Sequence, residues 1–378
     1  MGINKDVDAA VKNGERMSRA LETLSLKANS SKSVVLVIGG SNHQTLKARQ
    51  ELSQKPVKLH GEPISSTNES EPYLGFMLHK DGFKQSVIAT VKARTARAWS
   101  RASQIKNIIN HPAMKKFGWM NGGIVLVQST LPAILSYSAE AWPGVPKYVI
   151  DGIESSFKKM VYSIFEIPEK TSYSAVLLEL GFLRMKHVIA KLQITYMNQI
   201  IWDMQGTKVH EVVMEEWKMH GMRSTLGLVL QLASEYGLAD MTVTQLDKVQ
   251  IKQVIRMKHD REVWRDSLAS SIVMTRPYLR LKDKRHYRWS KLMSQAFLGW
   301  RTGSLKFKST WKVYNTRNGL SSSCVFPLCP GLDTWSHMIE CPWYTVKWNP
   351  KYTEEEEITR YILEVSMERL KRTRCPLL

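Results

Sequence analysis

Apolar residues recur along most of this chain at helical spacing, with short alternating stretches confined to the first fifth. In "VDAAVKNGERMSRALETL" the apolar positions Val7, Ala10, Val11, Met17, Leu21 and Leu24 predict a helix. "SVVLVIGG", Ser33 to Gly40, is a β-branched run closed by glycines and predicts a strand. "KPVKLHGEPIS" alternates, with Val57 and Leu59 on one face and a turn at His60–Gly61, and predicts a hairpin. "PYLGFML" predicts a further short strand. The first 78 residues therefore read as helix, strand, hairpin and strand.

From Phe83 onward the period changes from two to 3.6. Val87, Val91, Ala98, Ala102, Ile105 and Ile109 fall on one face, with Arg94, Arg97 and Arg101 placed beside that stripe. Further helices are expected near 119–141, 146–165, 172–203, 211–236, 242–275 and 284–300. The most apolar stretch, Gly122 to Trp142, holds Gln128, Pro132 and Glu140, so it reads as a buried, Pro-kinked helix rather than a membrane span. After position 350, Thr353 and four glutamates predict an N-cap and acidic first turn, followed by the stripe Ile358, Tyr361, Ile362 and Val365. The fold class is thus an α+β remnant, then a mostly α-helical body, then a small zinc-knuckle-like segment.

Charge sharpens this reading. Lys+Arg total 54 against Asp+Glu 34, a formal net charge of +20. The excess is concentrated: residues 79–116 carry nine basic and one acidic side chain, and residues 280–317 carry eleven and one. Such patches point to RNA or DNA as partner before an anionic membrane. In Arg280 to Lys312 cations, among them Arg285, Arg288 and Arg301, interleave with Tyr287, Trp289, Phe297, Trp300, Phe307 and Trp311. Cations can neutralise phosphates and aromatic faces can stack on bases, although Phe297 and Trp300, three apart, read as core positions.

Three of the four cysteines sit with one histidine in "CVFPLCPGLDTWSHMIEC". Cys324, Cys329, His337 and Cys341 supply four sulfur or nitrogen ligands, the number a closed structural zinc site needs. Clustered thiols without a disulfide framework imply a reducing compartment, nucleus or cytoplasm. The first residues lack an apolar core segment, so no signal peptide is expected.

In order, these pieces resemble the C-terminal half of a non-LTR (LINE-type) retrotransposon reverse transcriptase. Asn29, Lys32 and Ser33 match the Asn-x-x-Lys-Ser turn that follows the family's catalytic loop. Tyr73, Leu74 and Gly75 match its primer-gripping hairpin, and "KPVKLHGEPIS" resembles the small hairpin before it. Tyr137, Glu140 and Trp142 match a thumb motif, with Pro132 one residue further from the tyrosine than the pattern has it. "LLELGFLRM", "GWRTGSL" and the Cys/His segment resemble later parts of the same tail. The resemblance implies a palm remnant at 1–82, a helical thumb and connection at 83–275, a basic-aromatic segment with the zinc knuckle at 276–348, and a terminal helix at 349–378. It implies nucleic-acid contacts by Lys32, Tyr73 and Gly75, and the basic patches add Arg94, Arg97, Arg101, Arg285, Arg288 and Arg301 as expected contacts.

The chemistry of that family requires paired aspartates holding two magnesium ions. No adjacent Asp pair occurs in this sequence. No catalytic residue is therefore assigned, magnesium belongs to an intact polymerase only, and the chain by itself is expected to be inactive. The resemblance places its start just after the catalytic loop, leaving the strand at Ser33–Gly40 without its usual sheet partners. A host-recruited nucleic-acid-binding protein, a relic without function, and part of an active polymerase are the alternatives. Oligomeric state and the choice between RNA and DNA are not encoded in any of these patterns.

Overall fold

The computed structural model describes residues 6–268, apart from 27–28, 30–32, 38–41, 68–69, 74–75, 80, 113 and 115–117, together with Gln295 and Leu298. Among these residues the chain is mostly helical, with a few short strands. It divides into two compact units: the first comprises residues up to Arg97 plus Tyr137–Asp151, and the second Ala98–Ser136 plus residues from Gly152 onward.

The first unit begins with α1 (Val7–Thr23), whose N-terminus is capped by the Asp6 carboxylate accepting from the Ala9 amide at 2.7 Å. Its inward stripe is Val7, Val11, Gly14, Ser18 and Leu21, at spacings of four and three. Met17 and Leu24, expected on that stripe, are instead 49% and 67% exposed. The stripe turns inward at Gly14 because a neighbour comes too close for a side chain. A Cβ there would lie 2.7 Å from Val57 Cγ1 and 3.0 Å from the Lys58 carbonyl oxygen. That neighbour is the predicted hairpin, β2 (Lys58–Leu59) and β3 (Glu62–Pro63). His60 (φ 49°) and Gly61 (φ 82°) form its two-residue turn in left-handed conformation, as a tight hairpin demands. Ser18 Oγ fastens the turn to α1 by accepting from the His60 amide at 3.0 Å.

The predicted strand is β1 (Val34–Leu36). It pairs in parallel with β4 (Ser65–Thr67), so one of its edges is satisfied within the chain. Between them runs α2 (Asn42–Gln54), which the apolar pattern did not predict. Its sequence "NHQTLKARQELSQ" is too polar to show a stripe, and Leu52, buried with Val7 and Val57, anchors it. The "PYLGFML" region is a hairpin rather than one strand: β5 (Ser70–Tyr73) pairs antiparallel with β6 (Phe76–His79).

α3 (Phe83–Asn110) matches the helix expected from its periodicity. α4 (Trp119–Leu135) is one of the core helices of the second unit. The apolar stretch Trp119–Ala141 has a mean hydropathy of 1.2 and would be long enough on composition to cross a membrane. The α-helix itself stops at Leu135, about 26 Å at 1.5 Å per residue, and Ser138 in left-handed conformation precedes a 3-10 turn at Ala139–Ala141. Trp119, Ile124, Val127, Leu131 and Leu135 are buried.

α5 (Lys147–Phe165) follows. Two expected helices are each broken in two. The segment 172–203 forms α6 (Tyr173–Leu180) and α7 (Met185–Trp202), because Gly181 adopts φ 71° and caps α6. The segment 211–236 forms α8 (Lys208–His220) and α9 (Thr225–Glu235), separated by Gly221 at φ 51° and restarted by the Ser224 cap. α10 (Lys248–Leu268) is the last of the described helices.

Two apolar centres hold the second unit. Phe165 meets Trp119 edge-on at 5.7 Å and Phe182 at 6.2 Å, and Phe157 meets Phe182 at 6.0 Å. Farther along, Ile194, Met197, Leu226, Val229, Met241, Ile251 and Ile255 join α7, α9 and α10. Burying each such large side chain contributes about 1.5–3 kcal/mol. α7 starts against a buried carboxylate: Glu154 accepts from the Met185 amide and the Tyr173 hydroxyl, both at 2.6 Å. Burial raises the Glu154 pKa, opposed by those two hydrogen bonds.

Candidate nucleic-acid interface

The α3 helix carries six cations, Lys84, Lys92, Arg94, Arg97, Arg101 and Lys106, and no acidic residue. Its first turns are locked to the β5–β6 hairpin. The His79 amide donates to Ser86 Oγ and the Met77 amide to Thr90 Oγ1, each at 2.8 Å. Ser86 and Thr90, four apart, face the hairpin together and pass their own hydroxyl protons to the Gly82 and Ser86 carbonyls. Phe76 stacks on Phe83 with centroids 6.2 Å apart. Tyr73, the last residue of β5, pairs with Phe76 at the closed end of the hairpin. Lys32 and Gly75 lie outside the described residues.

The three arginines expected to act together separate. Thr90, Arg94, Ala98 and Ala102, spaced by four, are all buried, so Arg94 lies within the apolar stripe rather than beside it. It is 9% exposed and its guanidinium stacks 4.0 Å above the Tyr137 ring. Burial and the Arg97 charge lower its pKa, and Tyr137 opposes them. Arg94 is thus occupied in packing. Arg97 and Arg101 are exposed, and Arg101 Nη1 donates to Gln104 Oε1 at 2.6 Å. With exposed Lys84 and Lys92 they form the accessible charge of the helix. Trp99, 37% exposed, was not singled out from the sequence. Its signal was the sevenfold spacing Lys92, Trp99, Lys106, which puts an aromatic between two cations on one helix face.

The aspartates nearest the expected catalytic position serve helix structure. Asp6 caps α1, and Asp8 Oδ1 lies 3.7 Å from Lys55 Nζ. Among the described residues no group of three or more His, Cys, Asp or Glu could hold a metal ion. Cys324, Cys329, His337 and Cys341 lie outside the described residues, as do Arg285, Arg288 and Arg301. Comparison of the chain with protein families, with curated proteins and with solved structures gives no match.

Proposed function

We propose that this chain binds RNA or DNA as a portion of a non-LTR retrotransposon reverse transcriptase and has no polymerase activity of its own. The observation that supports this most is the union of the β5–β6 hairpin, which carries Tyr73, with a helix of six cations and no acid. The hairpin holds the start of the helix, and the exposed Lys84, Lys92, Arg97 and Arg101 offer phosphates partners along its length. Zinc held by Cys324, Cys329, His337 and Cys341 would stabilise a second basic region around Arg285, Arg288 and Arg301. Thiols kept reduced for that role point to the nucleus or cytoplasm. Polymerisation would need carboxylate-held magnesium, for which no adjacent Asp pair is present.

The test is affinity of the full chain for a single-stranded RNA and for a DNA duplex across a salt series. Affinity should fall steeply as salt rises. The double variant Arg97→Ala/Arg101→Ala should flatten the logarithmic slope by about 1.4 on the single strand and about 1.8 on the duplex, two phosphate contacts' worth. Salt-independent binding, or an unchanged slope in the variant, would overturn the interface. RNA-templated primer extension by the purified chain would overturn the claim of inactivity.

A further inference from the structure

A second polar centre lies inside the second unit. His187 on α7 and His259 on α10 are 0% and 1% exposed, and their rings meet edge-to-face with centroids 5.2 Å apart. The hydrogen bonds define their protonation. Glu262 Oε2 lies 3.2 Å from His187 Nε2, and a carboxylate only accepts, so Nε2 carries the proton. Nδ1 is then the acceptor for the Tyr236 hydroxyl at 2.8 Å. By the same logic His259 Nδ1 donates to Asp260 Oδ1 at 2.9 Å. Its Nε2 is buried with no hydrogen-bond partner among the described residues.

With each ring neutral these partners are matched, and a second proton costs both of them. A proton on His259 Nε2 would be a buried donor without an acceptor. A proton on His187 Nδ1 would face the Tyr236 hydroxyl proton and force that hydroxyl to turn. The carboxylates that could compensate are already matched to cations: Glu262 to Lys186 Nζ at 2.5 Å, and Asp260 to Arg256 Nε at 3.1 Å. Arg184, at the start of α7, is paired with Asp266 at 2.7 Å. Lys258 stands over the Tyr236 ring at 4.4 Å and donates to the Glu235 carbonyl. α6, packed on α10, carries buried Glu179 and Tyr173, whose hydroxyl is committed to Glu154.

We propose that the His187–His259 pair is an acid-sensitive latch that holds α10 on α7 while both rings are neutral and releases it when they are protonated. Burial, against the pull of Glu262, pushes His187 down to about 4, and burial likewise lowers His259. The released state takes up protons near pH 6.5 and the closed state only at lower pH, so closure weakens as pH falls through that window. His187, an ordinary histidine in the released state, would by itself raise the opening constant of α10 about fivefold between pH 6.5 and 5.5, and His259 adds to that rise.

Hydrogen exchange of the full chain, expressed as protection relative to the intrinsic rate, tests this. Amides of Ile251–Val263 should lose more than about fivefold in protection over that interval while α5 keeps its own. In His259→Phe, which retains the ring contact without a titratable nitrogen, the loss should shrink to about fivefold. An equal loss in α5, no loss in α10, or an unaltered loss in His259→Phe would overturn the latch. If that variant does not fold, the imidazole proton resonances of the wild type decide: His187 must stay neutral at pH 5.5 and His259 must titrate below an ordinary histidine, and ordinary titration of both would overturn the latch.

Discussion

The two units of this protein reach stability by different routes. In the second, long helices satisfy their own backbone hydrogen bonds and bury one apolar stripe each, so a core of Phe157, Phe165, Leu131 and Met160 can assemble from side chains alone. In the first, strands of two to four residues must find partners, and one small apolar centre is Val7, Leu52 and Val57 with a ring of half-buried neighbours. Specific polar fasteners compensate there: Ser18 on the His60 amide, Ser86 and Thr90 on the β6 amides. The second unit is therefore most sensitive to lost volume, whereas the first is more sensitive to single contacts.

The largest expected effect tests the volume side. Phe165→Ala removes the ring that meets Trp119 and Phe182, and should cost about 3–5 kcal/mol in urea unfolding followed by far-UV circular dichroism. A cost under about 1 kcal/mol would mean that this core is not close-packed.

A smaller effect tests the contact side. Gly14→Ala places a methyl group against Val57 and the Lys58 carbonyl. Overpacking of about 1–3 kcal/mol should outweigh the roughly 1 kcal/mol that alanine contributes as a helix former. Exchange of the Ile64 amide, bonded to the Val57 carbonyl at 2.9 Å, should accelerate. If Gly14→Ala shifted the far-UV transition as much as Phe165→Ala, the contrast between the units would collapse.

The smallest effect is local. Asp6→Ala removes the cap of α1 and should cost about 1 kcal/mol, visible as faster exchange at Ala9 and Ala10. An equal acceleration at Ser18 would show that α1 unfolds as one piece rather than fraying.

Much of the architecture was legible because periodicity is a local property. The long helix at Phe83–Asn110 and the His60–Gly61 turn follow from residue spacing and from the left-handed preference of glycine. The helix Asn42–Gln54 was not legible, since its polar sequence has no stripe and it is held mainly through Leu52, with Ala48 beside it. The breaks at Gly181 and Gly221 fall inside stretches expected as single helices, where a single φ decides whether a helix continues.

The candidate interface divides in the same way. That a helix near residue 90 is cationic and free of acids is a fact of composition, determined by the sequence alone. Which of its arginines meets solvent was decided by tertiary structure. Arg94, Arg97 and Arg101 look equivalent on a helical wheel until Tyr137, more than forty residues away in sequence, takes up the first of them. The same holds for His187 and His259. No spacing relates two histidines seventy-two residues apart, and only the packing of α10 on α7 brings their rings together and removes the water that would let them carry charge.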